Sequence, residues 1–242
     1  MPPSGLPSGA NLVLASDPAA PKRCVGDVYS SATARRKGVG TADPAAPTAA
    51  GLRGSLTFVE PEPDTKDCTW TLDRRCEQCG FAAGEVAVAD VPQRAFVAAE
   101  EWVAILRSHP AVASRPEPAV WSPLEYGAHV RDVYRLFDQR LVSILGEDEP
   151  TFANWDQDET ARTERYGEQD PEVVADELEA AALTFVDRLR GVRPDQQHRT
   201  GTRSNGSQFT VTTLSQYFLH DVVHHLWDVT GQTDGAASLE LG

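Results

Sequence analysis

Three of the chain's six histidines, His220, His224 and His225, fall in one short stretch between Tyr217 and Val229. His220 and His224 are four residues apart, so on a helix they lie one turn apart on the same face. Two imidazoles so placed can hold one divalent metal ion, as the helical His-x-x-x-His pairs of zinc hydrolases do. Leu219, Val222, Val223, Leu226 and Val229 form an adjoining apolar stripe, which predicts a core-packed helix carrying polar groups. His225 would point about 100° away from His224 and is left out of the ligand set. A third ligand must then come from another helix. Asp132, Asp221 and Asp228 either orient ligand imidazoles through their outer nitrogens or are surface charges.

A second group with metal-ligand chemistry is Cys76-Glu77-Gln78-Cys79-Gly80-Phe81. Cys-x-x-Cys-Gly is half of a zinc-knuckle pattern, but no second cysteine pair follows and Cys68 is the only other thiol nearby. That ligand count favours a structural or packing role. A redox dithiol would need a strand–helix context that is missing here.

Four amphipathic helices would have to position these groups. The first is expected from Pro92 to Arg107, capped by Asp90. Ser122-Pro123-Leu124-Glu125 is a capping box that opens the second, which runs to Leu145 and stops at Gly146. Tyr126, His129, Val133, Leu136, Phe137, Leu141 and Ile144 make its apolar stripe, so His129 faces inward near the helix start. A long connection rich in carboxylates and aromatics follows, with a cap at Asp156 or Asp158 and a short helix over residues 160–166. The third helix starts at the cap Asp170 and ends at Gly191; the fourth spans Thr212–Thr230 and stops at Gly231. Between them, residues 199–211 suit turns and a short hairpin. This pattern predicts an all-α four-helix bundle, a fold that builds metal sites from facing side chains. In an up-down-up-down order the second and fourth helices run parallel, and the depths of His129 and of the His220/His224 pair do not match. A crossover in the connection over residues 146–170 would match them.

Residues 1–66 are rich in Pro, Ala, Gly and Ser without apolar periodicity and are expected to form a disordered or loosely attached extension. The bundle is expected over residues 67–231, with a flexible tail over 232–242. The net charge is -14, and residues 1–66 hold seven Lys/Arg against six Asp/Glu, so the rest carries -15. So acidic a surface repels a phosphate backbone, which argues against nucleic-acid binding. No apolar run is long enough to span a membrane, and Asn11–Ala15 is too short for a signal-peptide core, so a cytoplasmic location is expected. Abundant alanine with only three lysines fits the coding bias of a GC-rich bacterium, such as an actinobacterium.

Trp121-Ser122-Pro123-Leu124-Glu125-Tyr126-Gly127-Ala128-His129-Val130, taken with Leu219-His220-Asp221-Val222-Val223-His224-His225-Leu226, resembles the DinB-like four-helix superfamily over residues 68–230. That superfamily includes mycothiol-dependent maleylpyruvate isomerases and bacillithiol transferases. The resemblance implies a bundle with a crossover and a divalent metal, zinc first and nickel second, held by one residue of the second helix and two of the last. Those roles map onto His129, His220 and His224. The isomerases carry a glutamate in place of one histidine, which these three positions do not. The implied chemistry is transfer of a low-molecular-weight thiol, such as mycothiol, to a small electrophile. Asn154, Asp156, Gln157 and Arg203 are the candidates for holding a polar cosubstrate. The alternative is a metal-binding stress-response or structural module without catalysis. The partners expected are a small-molecule substrate and no nucleic acid or membrane; a homodimer is compatible.

Overall fold

The computed structural model describes residues 68–231. The expectations for residues 1–66 and for the tail over 232–242 lie outside these residues. Within them the order is a 3-10 turn at Cys68–Leu72, another at Ala83–Glu85, α1 (Val91–Ser108), α2 (Pro123–Gly146), β1 (Thr151–Phe152), α3 (Gln157–Thr163), α4 (Pro171–Arg190), β2 (Thr200–Arg203), β3 (Gln208–Thr210) and α5 (Val211–Thr230), with short 3-10 turns at Tyr166–Glu168 and Pro194–Gln196. Among the described residues no helix is long and apolar enough to cross a membrane.

The chain punctuation acts as its chemistry predicts at most ends. Ser122 accepts the Glu125 amide while the Glu125 carboxylate takes the Ser122 amide at 2.8 Å, a reciprocal capping box with Pro123 at the first helical position. Asp156 and Asp170 cap α3 and α4, and Gly231 closes α5 at φ 66°. Asp90 is the exception: its backbone is already helical and its side chain makes no cap bond. α3 starts three residues before the expected 160–166 helix, because the Asp156 cap fixes it there. The expected hairpin is β2 and β3, antiparallel, and β1 joins β2 in parallel to complete a three-stranded patch.

α1 packs on α4, α4 on α2, α2 on α5 and α5 on α1. Consecutive helices α1 and α2 therefore face each other across the diagonal. Side-chain pairs give the directions. Arg131 meets Glu177 and Asp138 meets Arg188, so α2 and α4 are parallel. Tyr126 meets His225 and Phe137 meets Tyr217, so α2 and α5 are antiparallel. The crossover lies in the connection from α2 to α4, and it brings the start of α2 beside the second half of α5. The core between them is aromatic: Phe218 contacts Tyr134, Phe137 and Phe185, while Trp102 donates to the Val222 carbonyl at 3.3 Å.

The α2 cap also carries one of the buried or half-buried carboxylates held below the ordinary range. Burial alone would raise the Glu125 carboxyl, yet its bonds to Arg115 and Ser122 win and hold it below the usual carboxylate range. A depressed folded-state pKa contributes stability above the unfolded value and loses it as pH falls through the folded one. The thermal midpoint of the wild type should therefore decline on acidification below about pH 4.5 more steeply than that of Glu125→Gln. Parallel declines in a calorimetric pH series would show that this carboxylate carries no such linkage.

Candidate functional site

α5 presents two faces, each with a pair of potential ligands one turn apart. His220 and His224 occupy one. Asp221 and His225 occupy the next, about 100° around the helix. Among the described residues, metal-ligating atoms gather in two groups: Cys76, Cys79, His220 and His224, and His129, Asp221 and His225, with the atoms of each group within 4.8 Å of one another. The expected trio of His129, His220 and His224 is thus not assembled. His129 meets the Asp221/His225 face because that face turns toward the start of α2, whereas His220 and His224 turn toward the cysteine turn. Cys76 and Cys79 are buried in the core, compatible with the structural or packing role expected of them, and they also face His220 and His224.

In the His129 group, His225 Nε2 lies 3.1 Å and His129 Nε2 3.6 Å from Asp221 Oδ1. All three residues are buried. None of these three atoms completes a hydrogen bond, and His129 Nδ1 has no partner either. Unsatisfied buried polar atoms are costly, and three aimed at one another are rarer still. The outer nitrogen of His225 is taken: Nδ1 sits 2.8 Å from Asp228 Oδ2. That carboxylate fixes the ring's orientation, as outer partners of ligand histidines do. The electrostatics separate the two imidazoles. Burial pushes His129 below its ordinary value. Burial also acts to lower His225, but Asp221 and Asp228 outweigh it and lift it to about 9. Burial opposes ionisation of Asp221, and the two histidines override it, so Asp221 is held well below the carboxylate range.

The surroundings are aromatic. Trp155 from the crossover stacks on His129 at 5.1 Å with an interplanar angle of 5°, and Trp121 lies against its other side at 5.6 Å. Tyr126 contacts His225 at 5.2 Å. A cleft of about 650 Å³ opens beyond Trp121, lined also by Arg115, Asp156, Arg162 and Tyr166. None of the three ligand-type residues lines it; Trp121 stands between cleft and group.

The candidates for a polar cosubstrate fall at different places. Asn154 is exposed, and its amide donates to Ser204 Oγ. Asp156 is engaged as the α3 cap. Gln157 is buried with Nε2 unpartnered. Arg203 is buried, bonded to Asn205 and Ser207, and stacked over Phe209 and Tyr217. Sequence reasoning missed Arg140. This buried arginine on α2 lies over Phe137 and Phe152 and donates to the Ala153 carbonyl, with Nε unpartnered. Burial and then the nearby Arg203 lower it to about 10. Asp132, a candidate for orienting an imidazole, instead binds Arg131, Arg135 and the Tyr166 hydroxyl.

The cysteine group has its own signature. Cys76 Sγ lies 3.7 Å from His224 Nδ1 and Cys79 Sγ 3.8 Å from His220 Nε2. The neighbouring Cys76 thiol, and then burial, raise Cys79 far above an ordinary thiol. The signal for this pairing was in the sequence: Cys-x2-Cys and His-x3-His are both zinc spacings, and together they make four ligands. The roughly 140 residues between the pairs hid it.

The family model described as the DinB superfamily matches residues 83–229. Among solved structures, the chain is similar to YfiT from Bacillus subtilis, described as a probable metal-dependent hydrolase with an unusual four-helix bundle topology. The identity is 16%, covering 60% of this chain and 80% of that one, with a TM-score of 0.49. No curated protein sequence matches the chain.

Proposed function

The chain belongs to the DinB superfamily, and from that footing we propose that it is a divalent-metal-dependent enzyme transferring a low-molecular-weight thiol to a small electrophile, or isomerising such an electrophile with the thiol as cosubstrate. The observation that carries this reading is the convergence of His129 Nε2, Asp221 Oδ1 and His225 Nε2, buried and without hydrogen-bond partners. Three protein ligands leave a coordination position for a water or a substrate, the arrangement of catalytic rather than structural sites. Two imidazoles and one carboxylate also restore the donor set of the isomerases, with aspartate in place of glutamate. Zinc suits these donors, and nickel is the second candidate.

A bound divalent ion would supply one thing, a lowered pKa for a thiol placed against it, so that the thiolate forms near neutral pH. This chain's residues supply the rest. Asp228 holds the His225 ring with Nε2 toward the group. Burial favours the neutral form of His129 that a ligand needs, whereas His225, lifted to about 9, would release its proton as the ion binds. Trp121 and Trp155 pack against His129 and exclude water from its ring. Arg140 and Arg203, two buried cations beside α5, suit an anionic group on the thiol or the electrophile. Gln157 offers an unpartnered amide in the same crossover segment.

The test is spectroscopic first. In cobalt-loaded protein, mycothiol or a simpler aminosugar thiol should change the visible spectrum, and His129→Ala should abolish that change. Turnover with electrophiles such as cis-unsaturated dicarboxylates should need the same thiol. A spectrum insensitive to every thiol tried would sink the transferase reading and leave a metal-binding module without catalysis.

A further inference from the structure

Cys76 and Cys79 lie in a tight turn. The Cys76 amide donates to Phe81 O and the Gly80 amide to Cys76 O, both at 2.9 Å. Gly80 has φ +72°, a conformation that favours glycine, and its place just after the second cysteine lets both thiols face the same way. Opposite them, His220 and His224 stand one helical turn apart with rings 5.2 Å apart and tilted by 30°. All four side chains are buried.

The spacing fits a common ligand. A tetrahedral ion at about 2.3 Å from sulfur and about 2.0 Å from nitrogen separates the two donors by about 3.5 Å. The two sulfur–nitrogen distances here are 3.7 and 3.8 Å, and all four atoms lie within 4.8 Å of one another. Two independent thiol–imidazole contacts would not require that mutual closeness.

We propose that Cys76, Cys79, His220 and His224 bind one zinc ion in a closed Cys2His2 site that fastens the segment before α1 to α5, separate from the His129 group. Thiolate and imidazole donors in tetrahedral array select zinc, and four protein ligands leave no position for substrate, so the site is structural. Asp228 Oδ1 lies 3.9 Å from His224 Nε2, beyond hydrogen-bond reach, so it acts on that ring through its charge alone. Its other oxygen holds His225 Nδ1 at 2.8 Å. Gln216, one turn before His220, donates to the carbonyls of Gly84 and Val86 and extends the same attachment.

The test uses the full chain, purified without chelator and with any affinity histidines removed. Elemental analysis should find about one equivalent of zinc in His129→Ala, where the other group is disabled, and about one equivalent less than wild type in Cys76→Ser and Cys79→Ser. If the serine variants do not fold, wild type alone decides: cobalt substitution should give thiolate-to-metal charge-transfer absorption in the near ultraviolet. That band should remain in His129→Ala. The proposal is overturned by zinc content independent of the cysteines, by a cobalt spectrum without the thiolate band, or by a Cys76–Cys79 disulfide in freshly purified protein. Loss of thiol-dependent turnover with this zinc intact would count only against the enzymatic reading.

Discussion

Asp221→Asn is expected to strip the divalent ion from the His129–Asp221–His225 group while sparing the zinc of the cysteine group. The carboxylate is the only anionic donor of the three, and it lies 3.1 Å from one imidazole and 3.6 Å from the other. An amide keeps the shape and removes the charge that offsets a buried cation. Asp228→Asn serves as the graded comparison. It leaves all three donors in place and removes the carboxylate on His225 Nδ1, so about a 10–100-fold loss of metal affinity at this group is expected. Asp221→Asn should exceed that range, and thiol-dependent turnover should fall with it. Competition with a metallochromic indicator reads both affinities, and circular dichroism checks that the helices persist. Two ions held as tightly by Asp221→Asn as by wild type would remove the His129 group as a metal site.

The same two aspartates mark what could be read from the chain and what could not. Most helix starts and stops were legible because Ser122, Asp156, Asp170 and Gly231 act within a few residues of themselves; Gly146, expected as a stop, is instead the last helical residue of α2, with Glu147 as its C-cap. The need for a crossover was legible too, from the depth of His129 against that of the α5 histidines. The grouping of ligands was not. His-Asp-x-x-His-His contains two overlapping four-residue pairs, His220/His224 and Asp221/His225, and both are sterically sound on a helix. Which pair faces α2 is decided by the rotation of α5 about its axis. That rotation is set by tertiary packing, including Phe218 among three aromatic rings and the Trp102 bond to Val222 O. A difference of about 100° exchanges one pair for the other. Once the cysteines claim His220 and His224, Asp221 and His225 are the pair left to meet His129.

Removing the zinc of the cysteine group should free the segment over residues 68–86 without unfolding the bundle. In small zinc domains the metal contributes about 10–16 kcal/mol, and the fold does not exist without it. This chain differs because α1, α2, α4 and α5 bury their own core around Trp102, Tyr134, Phe185 and Phe218. The leading segment is built otherwise. It consists of two short 3-10 turns, packed so closely that a Cβ on Gly84 would meet the Leu72 carbonyl at 1.9 Å. Its attachment to the bundle runs through Gln216, through Cys76 and Cys79 against the α5 histidines, and through the buried side chains of Cys68, Phe81, Ala83 and Val86. Short turns outside the helical hydrogen-bond ladders can open locally, below the free energy of global unfolding. In hydrogen exchange read by mass spectrometry, chelation or Cys79→Ser should therefore abolish protection over 68–86, while α2 and α4 exchange as before. Unchanged protection of that segment after verified zinc loss would mean apolar packing alone holds it. Simultaneous loss across all four helices would mean the ion belongs to the cooperative core. Local release would carry a functional consequence, because both groups draw ligand-type residues from the same turns of α5. A freed segment should then loosen the His129 group as well, seen as faster loss of its ion to the same chelator.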